Sequence, residues 1–475
     1  MKNPIKFGTD GWRGIIAEDF TFDNVRICAQ GVADYLKKKE LAHMGLVIGY
    51  DTRFASEDFA RAAAEVISGN GIKVYLCPEA TPTPVVSYGV VAKQAAGAIM
   101  ITASHNPCAW NGFKYKTQDG ASAPQEVVSE IEKNIARILS KPEIRSTTLA
   151  SAGNQGLLEY FNIAPSYFTH ISRLVDFARL RQANIKVVID PMFGAGIGYL
   201  KSVLEGGTIE LTEINGTRNP LFPGIKQPEP IAANLASLSA KIKEQGANIG
   251  IATDGDADRA GIMDENGVFL TTLQTFALLC LYLLEVRKEQ GLIVKTITTG
   301  SMPDRLGEIF GDAVRETKVG FKYVAPLMIE ENALIGGEES GGYGFRGHVP
   351  ERDGILAGLY FLDLMQKTGK SPSELISYLY SKVGPHYFNR WDMEFPEEER
   401  QEIIKKVKGN VPQTLDGVKV LKMDTLDGFR FNLADKSWLL IRFSGTEPLL
   451  RIYAETDSPE RVERLLGLGK ELAGL

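Results

Sequence analysis

Short β-branched and apolar runs alternate with amphipathic stretches of helical period along most of this 475-residue chain. Such alternation is the wiring of strands that return through helices, and it commits the chain to α/β domains with partly parallel sheets. Strands are expected at 46–50, 72–76, 97–102, 185–190, 248–253 and 296–299. Helices are expected at 59–70, 232–245 and 273–289, where apolar residues recur every three or four positions. The first two stop at Gly71 and Gly246, in the position that ends helices by a left-handed turn. Toward the carboxy terminus the texture changes. Segments 418–423, 438–443 and 449–454 read as strands, the latter two joined by a short Gly-containing loop. A closing helix follows, with Ser458 at the N-cap, Pro459 in the first turn and Val462, Leu465, Leu466 and Leu472 along one side. That is an α+β unit.

A chain of 475 residues exceeds what one hydrophobic core supports, so several domains are expected. The alternation is suspended in the polar stretch 140–155, at 370–372 and at Gly384-Pro385. These breaks are the candidate domain boundaries. A net charge of -6, with no block of like charge, gives no electrostatic reason for a nucleic-acid or membrane partner. Cys28, Cys77, Cys108 and Cys280 lack CxxC spacing, which argues against zinc and fits a reducing compartment. The longest apolar run, 276–284, is about half a membrane span, and the amino terminus lacks the apolar core of a signal peptide. A cytoplasmic protein acting on small molecules is expected.

Chemistry concentrates in four clusters. Asp254, Asp256 and Asp258 follow a strand at alternate positions, so a slight curl aims three hard oxygen donors at one Mg²⁺ or Ca²⁺. An EF-hand loop would match Glu265 at its twelfth position, but Arg259 stands where that loop needs Gly and the preceding segment is a strand. Ser104, in Thr102-Ala103-Ser104-His105-Asn106-Pro107, is offered where an apolar strand meets a loop. It reads either as a helix N-cap or as a phosphoserine stabilised by backbone N–H groups and a cation. A hydrolase triad is not indicated, because no G-x-S-x-G elbow surrounds it. A metal held by three carboxylates beside a phosphoserine leaves net negative charge, so Arg259, Lys114 and His105 are the candidate compensating groups. A Lys114 desolvated beside a metal and an arginine is expected to have a lowered pKa suited to proton transfer. Arg442, Ser444, Gly445 and Thr446, with Arg451 beyond, form either a phosphate cradle or an ordinary hairpin turn. Arg13 sits in a glycine-rich segment open to the same two readings. Gly194-Ala195-Gly196-Ile197-Gly198 lacks the spacing of a dinucleotide fingerprint, and no Walker motif is present.

Taken in order, Phe7–Gly14, Thr102–Pro107, Asp254–Arg259, Gly336–Gly342 and Arg442–Tyr453 resemble the α-D-phosphohexomutase family over nearly the whole chain. The resemblance implies four domains, here 1–150, 151–258, 259–375 and 376–475, three similar α/β domains with mixed sheets and a smaller carboxy-terminal α+β domain, arranged around a central cleft. It implies a phosphoryl shuttle between hexose 1-phosphate and hexose 6-phosphate, through phospho-Ser104 and a 1,6-bisphosphate. One Mg²⁺ would be held by Asp254, Asp256, Asp258 and the Ser104 oxygen. Arg259 would stabilise the transferring group, and Arg13, Lys322, Glu338, Ser340, Arg442, Ser444, Gly445, Thr446 and Arg451 would bind sugar or phosphate. Glu338-Glu339-Ser340 resembles the glucose-handling branch, whereas mannose and glucosamine members carry a His where this chain has Gly342. Ala257 departs from the Gly common in the metal loop. Glucose 1-phosphate is therefore the expected substrate and glucose 1,6-bisphosphate the expected activator, for a monomer or homodimer. The alternatives are a phosphomannomutase, a phosphoglucosamine mutase, and, from another class, a Mg-dependent phosphosugar phosphatase.

Overall fold

The computed structural model describes residues 5–8, 10–444 and 449–475. Four sheets follow one another along the chain. The first runs, edge to edge, Trp12–Ile15, Trp110–Lys116, Ala98–Ile101, Leu46–Tyr50, Val74–Leu76 and Leu158–Tyr160. Its four central and far strands pair in parallel, and the two nearest the start pair antiparallel. Helices Phe22–Lys38, Ser56–Gly69, Thr83–Lys93 and Gln125–Ser140 belong to this unit. Thr21 caps the first of them, its side chain accepting from the Asn24 N–H.

The second sheet is ordered Phe269–Leu270, Ala260–Met263, Ile249–Thr253, Lys186–Asp190, Glu210–Glu213. The third is Val314–Thr317, Ile293–Thr296, Ile335–Gly337, Tyr343–Phe345. Both mix parallel and antiparallel pairs. The fourth is antiparallel throughout, ordered Tyr387–Glu394, Leu449–Thr456, Trp438–Phe443, Phe429–Leu433, Val418–Asp424, Thr414–Leu415. Helix Pro459–Ala473 covers it with buried Val462, Leu465 and Leu466. Three α/β units and a smaller α+β unit are thus present, in the order expected.

The sheets do not respect the sequence-drawn boundaries. Leu158–Tyr160 adds an edge strand to the first sheet beyond 150. The cut at 258 falls inside a hairpin, because Ala260–Met263 turns back against Ile249–Thr253 and a ladder cannot be divided between domains. Helix Pro372–Val383 packs on Thr272–Leu281 and Met302–Phe310, so the third unit reaches Val383 and the chain breaks at Gly384. Two elements also shift. The strand expected at 296–299 ends at Thr296, whose hydroxyl bonds those of Thr298 and Thr299 in the turn that follows. The helix expected at 273–289 is α-helical only over Thr272–Leu281 and then widens into a π turn, Tyr282–Val286. Among the described residues, no helix is long and apolar enough to cross a membrane. All four cysteines are free; Cys108 is partly exposed and the others are buried.

Candidate active site

The loop that leaves strand Ala98–Ile101 is fixed before it reaches Ser104. Thr102 donates its hydroxyl to Asp51 Oδ2 at 2.6 Å and accepts the Ser104 N–H at 2.8 Å. Ser104 then takes a left-handed conformation, φ 52°, and no helix follows, so the N-cap reading fails. Arg53, fully buried, donates to four carbonyls of this loop: Ser104 at 2.6 Å, Asn106 at 2.5 Å, Pro107 at 2.8 Å and Trp110 at 3.0 Å. Its charge is balanced by Asp51, 3.2 Å away. The Ser104 hydroxyl points out of this frame and donates to Asp254 Oδ2 at 2.9 Å, with His105 Nδ1 at 3.4 Å.

Asp254, Asp256 and Asp258 sit in the hairpin turn between Ile249–Thr253 and Ala260–Met263, each fully buried. Their carboxylate oxygens lie within 4.8 Å of one another. The turn closes by Ala257 N–H to Asp254 O at 3.0 Å, which puts Ala257 at φ 57°. A Cβ on Gly255 would lie 2.5 Å from the Ser104 carbonyl oxygen, so glycine there is what lets the two loops touch. The glycine run at 194–198 has its role here too. A Cβ at Gly194 would lie 2.8 Å from Gly255 O, and Ala195 N–H donates to that same oxygen, so the run is a packing surface for the acidic turn.

Burial and repulsion from Asp258 and Asp256 push the Asp254 carboxyl well above its ordinary range. At Asp256 burial acts upward too, but Lys114 and the Thr83 hydroxyl outweigh it and hold the group down. Lys114 Nζ stands 2.9 Å from Asp256, 2.8 Å from Asp10 and 3.7 Å from Asp258. Burial would lower this lysine, yet Asp10, Asp256 and Asp258 together raise it, so the expected lowered pKa is wrong. Arg352 reaches Asp258 at 2.7 Å and Asp10 at 2.8 Å. Even so, Asp256 Oδ1 and Asp258 Oδ1 are buried without a hydrogen-bond partner. Three convergent hard oxygens with orphaned lone pairs fit a small divalent cation.

Cations gather around Ser104 and His105. Arg13, on strand Trp12–Ile15, donates to Asn106 Oδ1 at 2.5 Å. Arg259 donates its N–H to Asp254 Oδ1 at 3.1 Å and its guanidinium to Glu229 at 2.9 Å. His105 is pushed well below its ordinary value by burial and by Arg259, Arg13, Arg53 and Lys114, which keeps it neutral.

Glu338 begins the turn between Ile335–Gly337 and Tyr343–Phe345. Burial raises its carboxyl to about 7, against the opposing pull of Arg352 at 3.4 Å. Ser340, in the same turn, is half-buried. The turn is tied to the acidic hairpin by Ala260 N–H to Gly341 O at 3.0 Å. A Cβ at Gly342 would lie 2.3 Å from Arg352 Cδ, so that arginine fills the volume a side chain at 342 would need. In the fourth sheet Arg442 and Arg451 are cross-strand neighbours, a like-charged pair suited to an anion. Asp427 accepts from Arg442 at 2.9 Å and from the Val319 N–H at 3.0 Å, joining this pair to the loop before Lys322. Lys322 itself donates to Gln125 of the first unit at 3.0 Å. Glu339 acts electrostatically on Arg442 and Tyr453 across the gap. Ser444 donates its N–H to Leu449 O at 2.8 Å. Gly445 and Thr446 lie outside the described residues.

Sequence reading missed Asp10, Arg53, Thr83, Glu229, Arg352 and Asp427. Each acts on the named residues from a segment distant in sequence or from another unit, and of the six only Asp10 lies in a motif quoted above, Phe7–Gly14. Outside the motifs, only Arg352-Asp353-Gly354, charged residues before a strongly apolar run, offered a signal.

Family models for phosphoglucomutase/phosphomannomutase match in order: α/β/α domain I over 4–141, domain II over 165–267, domain III over 273–383 and the C-terminal domain over 394–467. A phosphoglucomutase/phosphomannomutase of Thermococcus kodakarensis is 33% identical over 98% of both chains. A phosphoglucosamine/phosphogalactosamine mutase of Sulfurisphaera tokodaii is 29% identical, covering 98% of both. A solved structure from Thermus thermophilus aligns with TM-score 0.86 and 35% identity over 100% of both chains.

Proposed function

Since the chain belongs to the phosphoglucomutase/phosphomannomutase family, enzymes that move a phosphoryl group within a sugar, we propose that it interconverts glucose 1-phosphate and glucose 6-phosphate through phospho-Ser104 and glucose 1,6-bisphosphate. The observation that carries this reading is the Ser104 hydroxyl held 2.9 Å from Asp254, beside three buried carboxylates and a group of cations.

Asp254, Asp256, Asp258 and the Ser104 oxygen would hold Mg²⁺, which would supply positive charge against the transferring group. Ser104 carries the phosphoryl group at the tip of a loop that Arg53 and Thr102 prevent from moving. Arg259, paired with Glu229, and Arg13, bonded to Asn106, supply positive charge near Ser104 against the charge that the equatorial oxygens gain. The sugar hydroxyl that attacks must lose a proton. Lys114, held charged by its carboxylates, is suited to balancing charge; neutral His105 beside Ser104 has a lone pair to offer, but the cations around it make it a weak base. Glu338 and Ser340 supply carboxylate and hydroxyl partners for a polyol. Arg442 and Arg451, with Ser444, Gly445 and Thr446, hold whichever phosphate is not reacting, so the bisphosphate can present either end to Ser104. Lys322 adds a further contact. Gly342, whose space Arg352 takes, favours glucose over sugars read by a side chain at that place.

The test is turnover of glucose 1-phosphate with Mg²⁺ and a trace of glucose 1,6-bisphosphate, following glucose 6-phosphate and free phosphate. Mannose and glucosamine 1-phosphates run in parallel, because relatives carry those names. Isomerisation without phosphate release, lost in Ser104→Ala together with the phosphoryl mass on the chain, is expected. Phosphate release without isomerisation would overturn the shuttle, and a higher kcat/KM for mannose or glucosamine would overturn the sugar assignment.

A further inference from the structure

A cavity of about 700 Å³ opens away from the Ser104 centre, between segment 172–181 of the second unit and residues of the third. Its volume falls in the range of small-molecule sites, roughly 300–1,000 Å³. Five cations line it against three carboxylates. The carboxylates are all engaged. Asp363, buried, accepts from Tyr282, Arg179 and Lys367. Glu289 pairs with Arg287 at 2.5 Å, and Asp176 caps helix Phe177–Arg181. Neither Arg173 nor Arg181 pairs with a described carboxylate. Arg173 is exposed, and Arg181 spends its Nε on the Val203 carbonyl at 2.8 Å. The charge surplus therefore rests on two guanidinium forks, the groups best shaped for phosphate or carboxylate oxygens. Leu174, Val175, Phe177 and Val286 give the same cavity an apolar side.

One wall is the π turn Tyr282–Val286, closed by Arg287 N–H to Tyr282 O at 2.9 Å, and Lys288 just beyond it takes φ 56°. The turn ends the helix, with Lys288 in the left-handed position and Glu289 N–H donating to Leu283 O at 2.9 Å. Here it places Val286 and Arg287 on the cavity, and Arg287 reaches across to the Leu174 carbonyl at 2.7 Å.

We propose that this cavity is a second binding site, separate from the Ser104 centre, for a small organic polyanion of nucleoside-polyphosphate size. Arg173 and Arg181 engage its charged end and the apolar side takes its organic part. The site also has a physical route to the acidic hairpin. Helix Gly354–Thr368 bears Asp363 and Lys367 at the cavity, and its first N–H, on Gly354, donates to Ala257 O at 3.1 Å. Arg352, just before it, holds Asp258. A ligand that redistributes the Asp363 ion pairs thus acts on a rigid rod whose other end touches the metal turn.

The probe is ATP with a chelator and no divalent ion, titrated calorimetrically into the full chain. One ATP per chain is expected, with pyrophosphate binding more weakly because it lacks an organic part. Arg173→Gln alone should weaken ATP about tenfold, and Arg173→Gln/Arg181→Gln about a hundredfold, one charge-assisted contact being lost at each step. The single variant alters an exposed, unpaired side chain, so it reports even if the double variant folds poorly. No ATP binding by the wild type, or equal binding by folded Arg173→Gln, would overturn the site. Pyrophosphate binding as tightly as ATP would overturn the apolar half of it. No step uses phosphotransfer, so the outcome is independent of the reading given to Ser104.

Discussion

Replacing Arg53 by lysine keeps the charge and removes the fork. The guanidinium now serves four carbonyls of the Ser104 loop and stands against Asp51, all without exposure to water. A lysine ammonium is a compact donor that can satisfy about two of those carbonyls, which leaves two buried acceptors unpaired. Each costs about 1–3 kcal/mol, so the loss is about 2–6 kcal/mol. At about 2–4 °C per kcal/mol for a domain of this size, the first thermal transition should fall by at least about 4 °C. Catalysis should suffer more than stability alone explains, because Ser104 loses the contact that fixes its own carbonyl. A misplacement of about 1 Å can cost about a hundredfold. The assays are scanning calorimetry, kcat and KM for glucose 1-phosphate, and the phosphorylated fraction of Ser104 by intact mass. A drop in kcat with KM little changed is expected. An Arg53→Lys protein with wild-type melting and wild-type kcat would refute the claim that this fork holds the loop.

Gly255→Ala should lower kcat about a hundredfold, since its methyl would stand 2.5 Å from the Ser104 carbonyl oxygen and force the two loops apart; steady-state kinetics checks it. Lys114→Met should destabilise the metal-free protein by about 3–5 kcal/mol, because Asp10 and Asp256 lose a buried partner. Added Mg²⁺ should restore much of that, read as a larger Mg²⁺-induced rise in melting temperature than in the wild type. Burial raises Asp190 to about 6, so the folded chain keeps a proton that the unfolded chain releases. The Asp190 contribution to stability should therefore fall as pH rises from about 4 through 6 and level off above, by about 3 kcal/mol in all. Asp190→Asn, which can still accept from the Met192 N–H and face Asn215, should flatten that slope in urea titrations at pH 5 and 8.

Strands buried on both faces were legible because their residues repeat one chemistry: Leu46–Tyr50 is apolar or small throughout and was placed to the residue. Trp110–Lys116 was missed for the opposite reason. It is a buried strand that carries Lys114 and Lys116, a sequence that reads as surface until Asp10, Asp256 and Glu351 are brought in to neutralise it. The domain cut at 258 failed because an acidic motif was taken as an end, when it is the turn of a hairpin. The lowered pKa expected of Lys114 failed because Asp10, from a segment the reading did not bring in, joins Asp256 and Asp258 around it and raises it.

The sequence alone determined the α/β alternation, the change to an antiparallel unit at the end, and the chemical groups at Ser104, Asp254–Asp258, Glu338 and Arg442. These are local: a strand, a turn or a donor set is written in consecutive residues. Tertiary structure decided which of those groups meet and in what charge state. Arg53 on the Ser104 loop, Arg352 between Asp10, Asp258 and Glu338, and Asp427 between Arg442 and Val319 all join segments far apart in the chain. A Coulomb interaction depends on separation and burial, and neither is a property of sequence order.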